Sequence, residues 1–285
     1  MQSNNPVFRR SEEFNRAGGG YGQASYQGYA QSPQGYGEQP GTYAPVAPAS
    51  SDRMTIDTVV QSTAITLGVL VVAAAVTWIG TGDITDDPAG AIPALSAALT
   101  IGALGAFALS MVNSFKRVIS PALVIAFAVF EGVALGALSK FYDAVYGADG
   151  SMGGIVVQAV LGTFAAFGGT LAAYKFFDIQ VGQKFRTFVI SAMFGMVALS
   201  LLEIVLGLFG QGLGLYDNGA MGALFAVLGL VLGVFMLILD FDFIEQGIRN
   251  GIPARESWRA SFALTVSLVW IYTNLLRILA ILQDN

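Results

Sequence analysis

The chain has 285 residues, 54% hydrophobic and only 12% charged, about half the charged share of an ordinary soluble domain at roughly 25%. That composition excludes a soluble globular enzyme, and the net charge of −5 argues against nucleic-acid binding, which needs a basic face to replace phosphate counterions. With no Cys and no His there is no disulfide, thiolate nucleophile, Ser-His-Asp triad, imidazole haem ligand or ordinary Zn or Cu site, so proton-linked behaviour near neutral pH falls to buried carboxylates, whose charged form desolvation disfavours.

Residues 1–53 form a block of their own, with five of the nine Pro and five of the ten Tyr (Tyr21, Tyr26, Tyr29, Tyr36 and Tyr43) among Gly, Gln and Ser. Almost without Leu, Ile or Val, it cannot bury enough apolar surface to offset its chain entropy and is expected to be a disordered tail. It is not a secretory signal, because no apolar stretch follows Arg9 and Arg10.

Residues 54–285 are expected to form a second unit of seven apolar spans, at about 59–79, 90–112, 120–141, 154–174, 187–209, 220–243 and 258–282. Each has the length needed to cross a hydrocarbon core of about 30 Å. The predicted fold class is therefore all-α, a polytopic membrane protein with seven transmembrane helices in a compact bundle. Small residues within the spans, such as Gly102 and Gly105 or Gly229 and Gly233, suit close helix approach. The connections alternate in charge. Asp83, Asp86 and Asp87 follow span one, Lys116 and Arg117 follow span two, Lys175, Lys184 and Arg186 follow span four, and Arg249, Arg255 and Arg259 lead into span seven. Of the 14 Lys and Arg, 12 fall on the side of the tail, leaving Lys140 and Arg277 towards the other. The positive-inside rule then puts the N-terminus in the cytoplasm and the C-terminus outside.

An ionisable side chain within a span costs from about 2.5 kcal/mol upward and is a site hypothesis by default. Glu131 lies about 16 Å into span three, near the midplane, with no flanking cation. In span six the run Leu239-Asp240-Phe241-Asp242-Phe243-Ile244-Glu245 carries three acids. Asp240 and Asp242 point about 200° apart, so they cannot face one partner helix, and one of them can be buried; they lie about 9 to 12 Å deep. Acids at a helix C-terminus oppose the macrodipole and need compensation, for which Lys116, Arg117 and Arg259 are the candidates. Ser267 of span seven lies at a similar depth, and it either bonds across to span six or bonds back to its own helix. Glu203 either lines an outer vestibule or reaches towards the interface, and Arg277 reads as a snorkelling residue. Span seven has no Lys for a retinal Schiff base, and no nucleophile-and-base constellation is present, so no enzymatic activity is expected.

The segment from Ser120-Pro121 through Tyr142, with Phe130-Glu131-Gly132 and Leu135-Gly136, resembles the span-three signature of the Bax inhibitor-1-like (YccA-containing) membrane proteins. Phe241-Asp242 with Ile244 resembles that family's span-six motif, and Ile271-Tyr272-Thr273-Asn274-Leu275-Leu276-Arg277-Ile278-Leu279 its closing helix. The resemblance covers about residues 55–283, and Asn5-Pro6-Val7-Phe8 in the tail is similar to a bacterial, actinobacterial-like subgroup. It implies a bundle with one central helix wrapped by the others and, in some members, a pH-sensitive calcium leak gated by carboxylates on spans six and seven. The span-six carboxylate maps to Asp242, with Asp240 beside it. The span-seven position maps to Ser267, which is not ionisable, and the span-two arginine of some members has no counterpart within 90–112.

Together these readings lead to a cation leak, calcium first, with Asp240 and Asp242 as the gate with Ser267, Glu131 on the route, and Glu203, Glu245 and Arg259 as accessories. A latch from Asp242 to Arg259 is one form of the gate. Carboxylate oxygens suit a hard cation, and protonation weakens such a site. No resident cofactor is expected, only transient Ca2+; the partners are the lipid bilayer and an inorganic cation, and no nucleic acid. The alternative is a regulatory protein whose tail engages and restrains a membrane protease.

Overall fold

The computed structural model describes residues 53–82, 84, 88–147, 154–177 and 179–284. The tyrosine-rich tail up to residue 52, and Asp83, Asp86 and Asp87 of the first connection, lie outside the described residues. Among the described residues there are seven α-helices: α1 Ile56–Gly80, α2 Pro88–Phe115, α3 Pro121–Tyr146, α4 Ile155–Phe176, α5 Gln183–Leu208, α6 Ala220–Arg249 and α7 Ser257–Asp284, the last preceded by a single 3-10 turn, Ala254–Glu256. All seven are long and apolar enough to cross a membrane, and the chain is a multi-pass membrane protein.

Local chemistry sets the ends. Thr55 caps α1 reciprocally with Thr58: its hydroxyl accepts from the Thr58 amide at 3.2 Å, and its own amide donates to the Thr58 hydroxyl at 2.9 Å. Pro121 opens α3 at its first position, where its missing N–H costs nothing. Helix α6 continues past the expected limit at 243 to Arg249, and Gly251, at φ 62°, then reverses the chain as few other residues can.

The helices alternate in direction, and cross-chain bonds identify the two ends. At one end the amide of Met54 donates to the Ile252 carbonyl at 2.8 Å, tying the starts of α1 and α7 together. Arg53, Lys116, Arg117, Lys175, Lys184, Arg186, Arg249, Arg255 and Arg259 gather here, so this is the basic end. At the opposite end Asn218 donates to Tyr146 and Asp284, joining the α5–α6 connection to α3 and α7.

Helix α7 is the centre of the bundle, packing on α1, α3, α4 and α6, whereas α5 leans mainly on α6 and α2 mainly on α3. Its most apolar stretch is 56% buried, against 11% for α5. A seam of hydroxyls joins α1 to α7: Thr58 meets Ser257 and Thr66 meets Ser261, each at 2.7 Å, while Ser62 and Ser261 donate to each other's helix carbonyls at 3.0 Å. In hydrocarbon such bonds replace the water a soluble protein would offer these groups.

Apolar burial gives little drive between helices already in lipid, so close packing carries more of the association. Gly102 lies against the α3 backbone, where a Cβ would sit 2.6 Å from the Ala134 nitrogen, and Gly132 and Gly136 lie against the α1 backbone at Leu70 and Ala74. Gly132→Ala therefore separates α1 from α3 and is expected to cost about 1–3 kcal/mol, as overpacking does. Gly168→Ala, which enters open space, is expected to be neutral or slightly stabilising. Reversible unfolding in mixed detergent micelles checks the pair.

Candidate functional site

The acidic run lies wholly within α6 and brings carboxylates to two different neighbours. Asp240 and Asp242 are each only 6% exposed. Because the two side chains diverge by about 200°, Asp240 faces α7, where the Ser267 hydroxyl donates to its Oδ2 at 2.6 Å, and Asp242 faces α5. There Arg186 Nη2 approaches Asp242 Oδ2 at 2.5 Å, and Gln246, one turn along α6, donates to the same oxygen at 2.8 Å. The divergence is as expected from the sequence. The restriction of burial to one of the two is corrected, because each carboxylate finds its own partner.

The partners differ from those expected. Asp242 is held by Arg186, in the first turn of α5, and not by Lys116, Arg117 or Arg259. The guanidinium of Arg259 pairs with Glu256 at 2.7 Å, both side chains fully buried, and also donates to the Arg117 carbonyl at 2.9 Å. The latch from Asp242 to Arg259 is therefore absent, and Arg259 instead fastens the start of α7 to the α2–α3 connection. The second oxygen of Glu256 accepts no hydrogen bond among the described residues. The family resemblance set Asp242 beside Ser267, whereas the geometry gives Ser267 to Asp240.

Glu245 lies on the exposed flank of the same helix. It accepts from the Tyr174 hydroxyl of α4 at 2.6 Å and pairs with Arg249 one turn later at 3.1 Å. The three acids of α6 thus reach α7, α5 and α4 in turn, within the last three turns of the helix. Their charge near its C-terminus, which the macrodipole disfavours, is met by Arg186 and Arg249.

Glu131 stands apart from this cluster. Residues three and four apart share a helix face, and on α3 that face includes Phe127, packed edge-on against Phe262 of α7 at 4.9 Å between ring centres, and later Ser139, hydrogen-bonded to Tyr272 of α7 at 2.6 Å. Glu131 lies between these two contacts, half-buried and without a protein hydrogen-bond partner among the described residues. Both Glu131 and Asp240 are thus on helices that pack against α7, Glu131 between the levels of Phe262 and Tyr272 and Asp240 at that of Ser267.

At the opposite end one open choice is narrowed and one expectation is corrected. Glu203 reaches into the α5–α6 connection, where its carboxylate accepts the amides of Leu213, Gly214 and Leu215 at 2.8, 3.0 and 3.2 Å and so organises that connection. Arg277 does not snorkel. It is 8% exposed, donates to the Leu215 carbonyl and lies under the Tyr216 ring, 4.8 Å from its centre. Glu203 and Arg277 therefore hold one connection between them.

Among the described residues no three acidic side chains converge on a point that could hold a metal ion. Sequence reasoning missed Arg186 as a partner, noticing it only as a loop cation, and missed Glu256 altogether. The spacing of Glu256 to Arg259, one helical turn, was the available signal.

No curated protein and no solved structure matches the chain. A family model described as Bax inhibitor 1 like matches residues 5–284, taking in the tail as well as all seven spans. On that match, and on the seven-helix frame whose central helix is α7, the chain belongs to the Bax inhibitor 1 like family.

Proposed function

We propose that this protein is a pH-sensitive cation leak, with calcium as the permeant ion, in a bacterial plasma membrane with its basic end in the cytoplasm. The orientation rests on the gathering of Lys and Arg at that end. The observation that carries the reading is the pair of buried carboxylates on one turn of α6, Asp240 held by Ser267 of α7 and Asp242 by Arg186 of α5. In the closed state the ion pair fixes the start of α5, which leans on little else, against α6. Loss of the charge on Asp242 breaks this pair, and α5 is released. Asp242 then lies at the opened path, Asp240 keeps α6 on α7 through Ser267, and Glu131 offers a further carboxylate on α3. The cation meets single carboxylates in succession, which suits passage better than storage.

Calcium flux into proteoliposomes, measured against pH, checks this reading. Wild-type flux is expected to rise as pH falls. Asp242→Asn is expected to raise flux at neutral pH about tenfold or more, because a tenfold change needs only about 1.4 kcal/mol whereas breaking a buried pair costs about 3–5 kcal/mol. Identical flux in the two proteins at every pH removes the gate assignment.

A second reading, a regulator whose tail engages a partner such as a membrane protease, is favoured by the family match beginning at residue 5, within the tail. Deleting residues 1–50 separates the two. As a leak, the protein keeps its flux; as a tail-borne regulator, it loses the partner recovered with the full chain in membrane extracts.

A further inference from the structure

The half of the bundle towards the opposite end carries a groove of about 980 Å³ between α1 and α4, floored by α3 and α7. Helices α1 and α4 are not among the principal packed pairs, and the gap between them faces outward: Val71 of α1 is 59% exposed and Phe164 of α4 57%. Its shaft is apolar, lined by Leu67, Val71, Leu135, Val160, Phe164 and Leu268. Along α1 it runs from Leu67 to Ile79, twelve residues or about 18 Å, close to the depth of one leaflet at about half of 30 Å. Polar side chains along it are few, Thr163 of α4 and the bonded pair Ser139 and Tyr272, and the charged ones, Lys140 and Asp143, lie with Trp78 towards the mouth.

Lys140 gives the groove its chemistry. Its ammonium caps the last turn of α1, donating to the carbonyls of Trp78, at 2.6 Å, and Gly82 and more distantly to the Thr81 hydroxyl at 3.4 Å. These are all neutral oxygens, and no carboxylate among the described residues pairs with it. Asp143, one turn further along α3, is turned to the α3–α4 connection, where it abuts Gly147 and Gly154. A cation whose partners among the described residues are all neutral oxygens, at interfacial depth, above a mainly apolar shaft one leaflet deep, is complementary to an amphiphile with a negatively charged head.

We infer that this groove is a binding site for one anionic phospholipid of the surrounding leaflet, its acyl chain between α1 and α4 and its phosphate at Lys140. The site lies at the other end of the bundle from the acids of α6 and does not depend on the leak reading.

Trp78 at the rim makes the site measurable. The full chain carrying Trp258→Phe and Trp270→Phe retains Trp78 as its one indole. It is reconstituted in phosphatidylcholine vesicles with increasing phosphatidylglycerol, either lipid carrying brominated acyl chains that quench indole fluorescence. Brominated phosphatidylglycerol is expected to quench Trp78 at an about fivefold lower mole fraction than brominated phosphatidylcholine, the preference one Lys provides near a membrane surface. Lys140→Gln is expected to abolish the preference and Lys140→Arg to keep it. Equal quenching by both lipids before any substitution at Lys140 overturns the proposal, as does a preference that survives in Lys140→Gln.

Discussion

The polar content of α7 is the constraint on which the bundle depends. This helix buries Arg259, Ser261, Thr265, Ser267, Tyr272 and Arg277, more hydrogen-bonding groups than hydrocarbon tolerates on a helix facing lipid. It can cross the membrane only at the centre, with other helices supplying partners along its length. They do so in order: Thr58 and Thr66 of α1 near the basic end, Asp240 of α6 deeper in, Ser139 of α3 beyond that, and the α5–α6 connection at the far end. The glycines of α2 and α3 complement this arrangement, because helices without such polar bonds must approach closely to associate.

The acids of α6 follow from the same constraint and lead to the functional reading. A helix placed between α7 and α5 has one polar neighbour and one almost wholly apolar neighbour, and it presents a carboxylate to each. Towards α7 the bond is carboxylate to hydroxyl, a local link between two helices already packed together. Towards α5 it is an ion pair with Arg186 at the entry of a helix that few other contacts fix. Loss of charge on Asp240 leaves the α6–α7 interface with its apolar packing, whereas loss of charge on Asp242 removes the principal polar hold on α5. This asymmetry makes Asp242 the moving part of the proposed gate and Asp240 the fixed hold of α6 on α7.

The seven spans and the end at which the cations gather were legible in the sequence, because length, apolarity and the placement of Lys and Arg are properties of single segments. The divergence of Asp240 and Asp242, and the shared depth of Asp240 and Ser267, were legible for the same reason: both follow from helix pitch. Partner identity was not. Arg186 and Asp242 are 56 residues apart and meet only because α5 leans on α6, which no spacing rule encodes. Arg277 was misread because depth from a helix end says nothing of a neighbouring connection that can cover it. Glu203 was left between two readings, and its actual role depends on three consecutive amides turning back towards α5.

The central claim is that the charge on Asp242 holds α5 against α6 at the basic end. Because the chain has no native cysteine, spin labels can be placed at Lys184→Cys and Asn250→Cys, beside the pair and exposed. Their separation is then measured by pulsed electron resonance in lipid nanodiscs. The account predicts a single short distance in the wild type at neutral pH and a longer one at the same pH in Asp242→Asn. An unchanged distance distribution on substitution would contradict it.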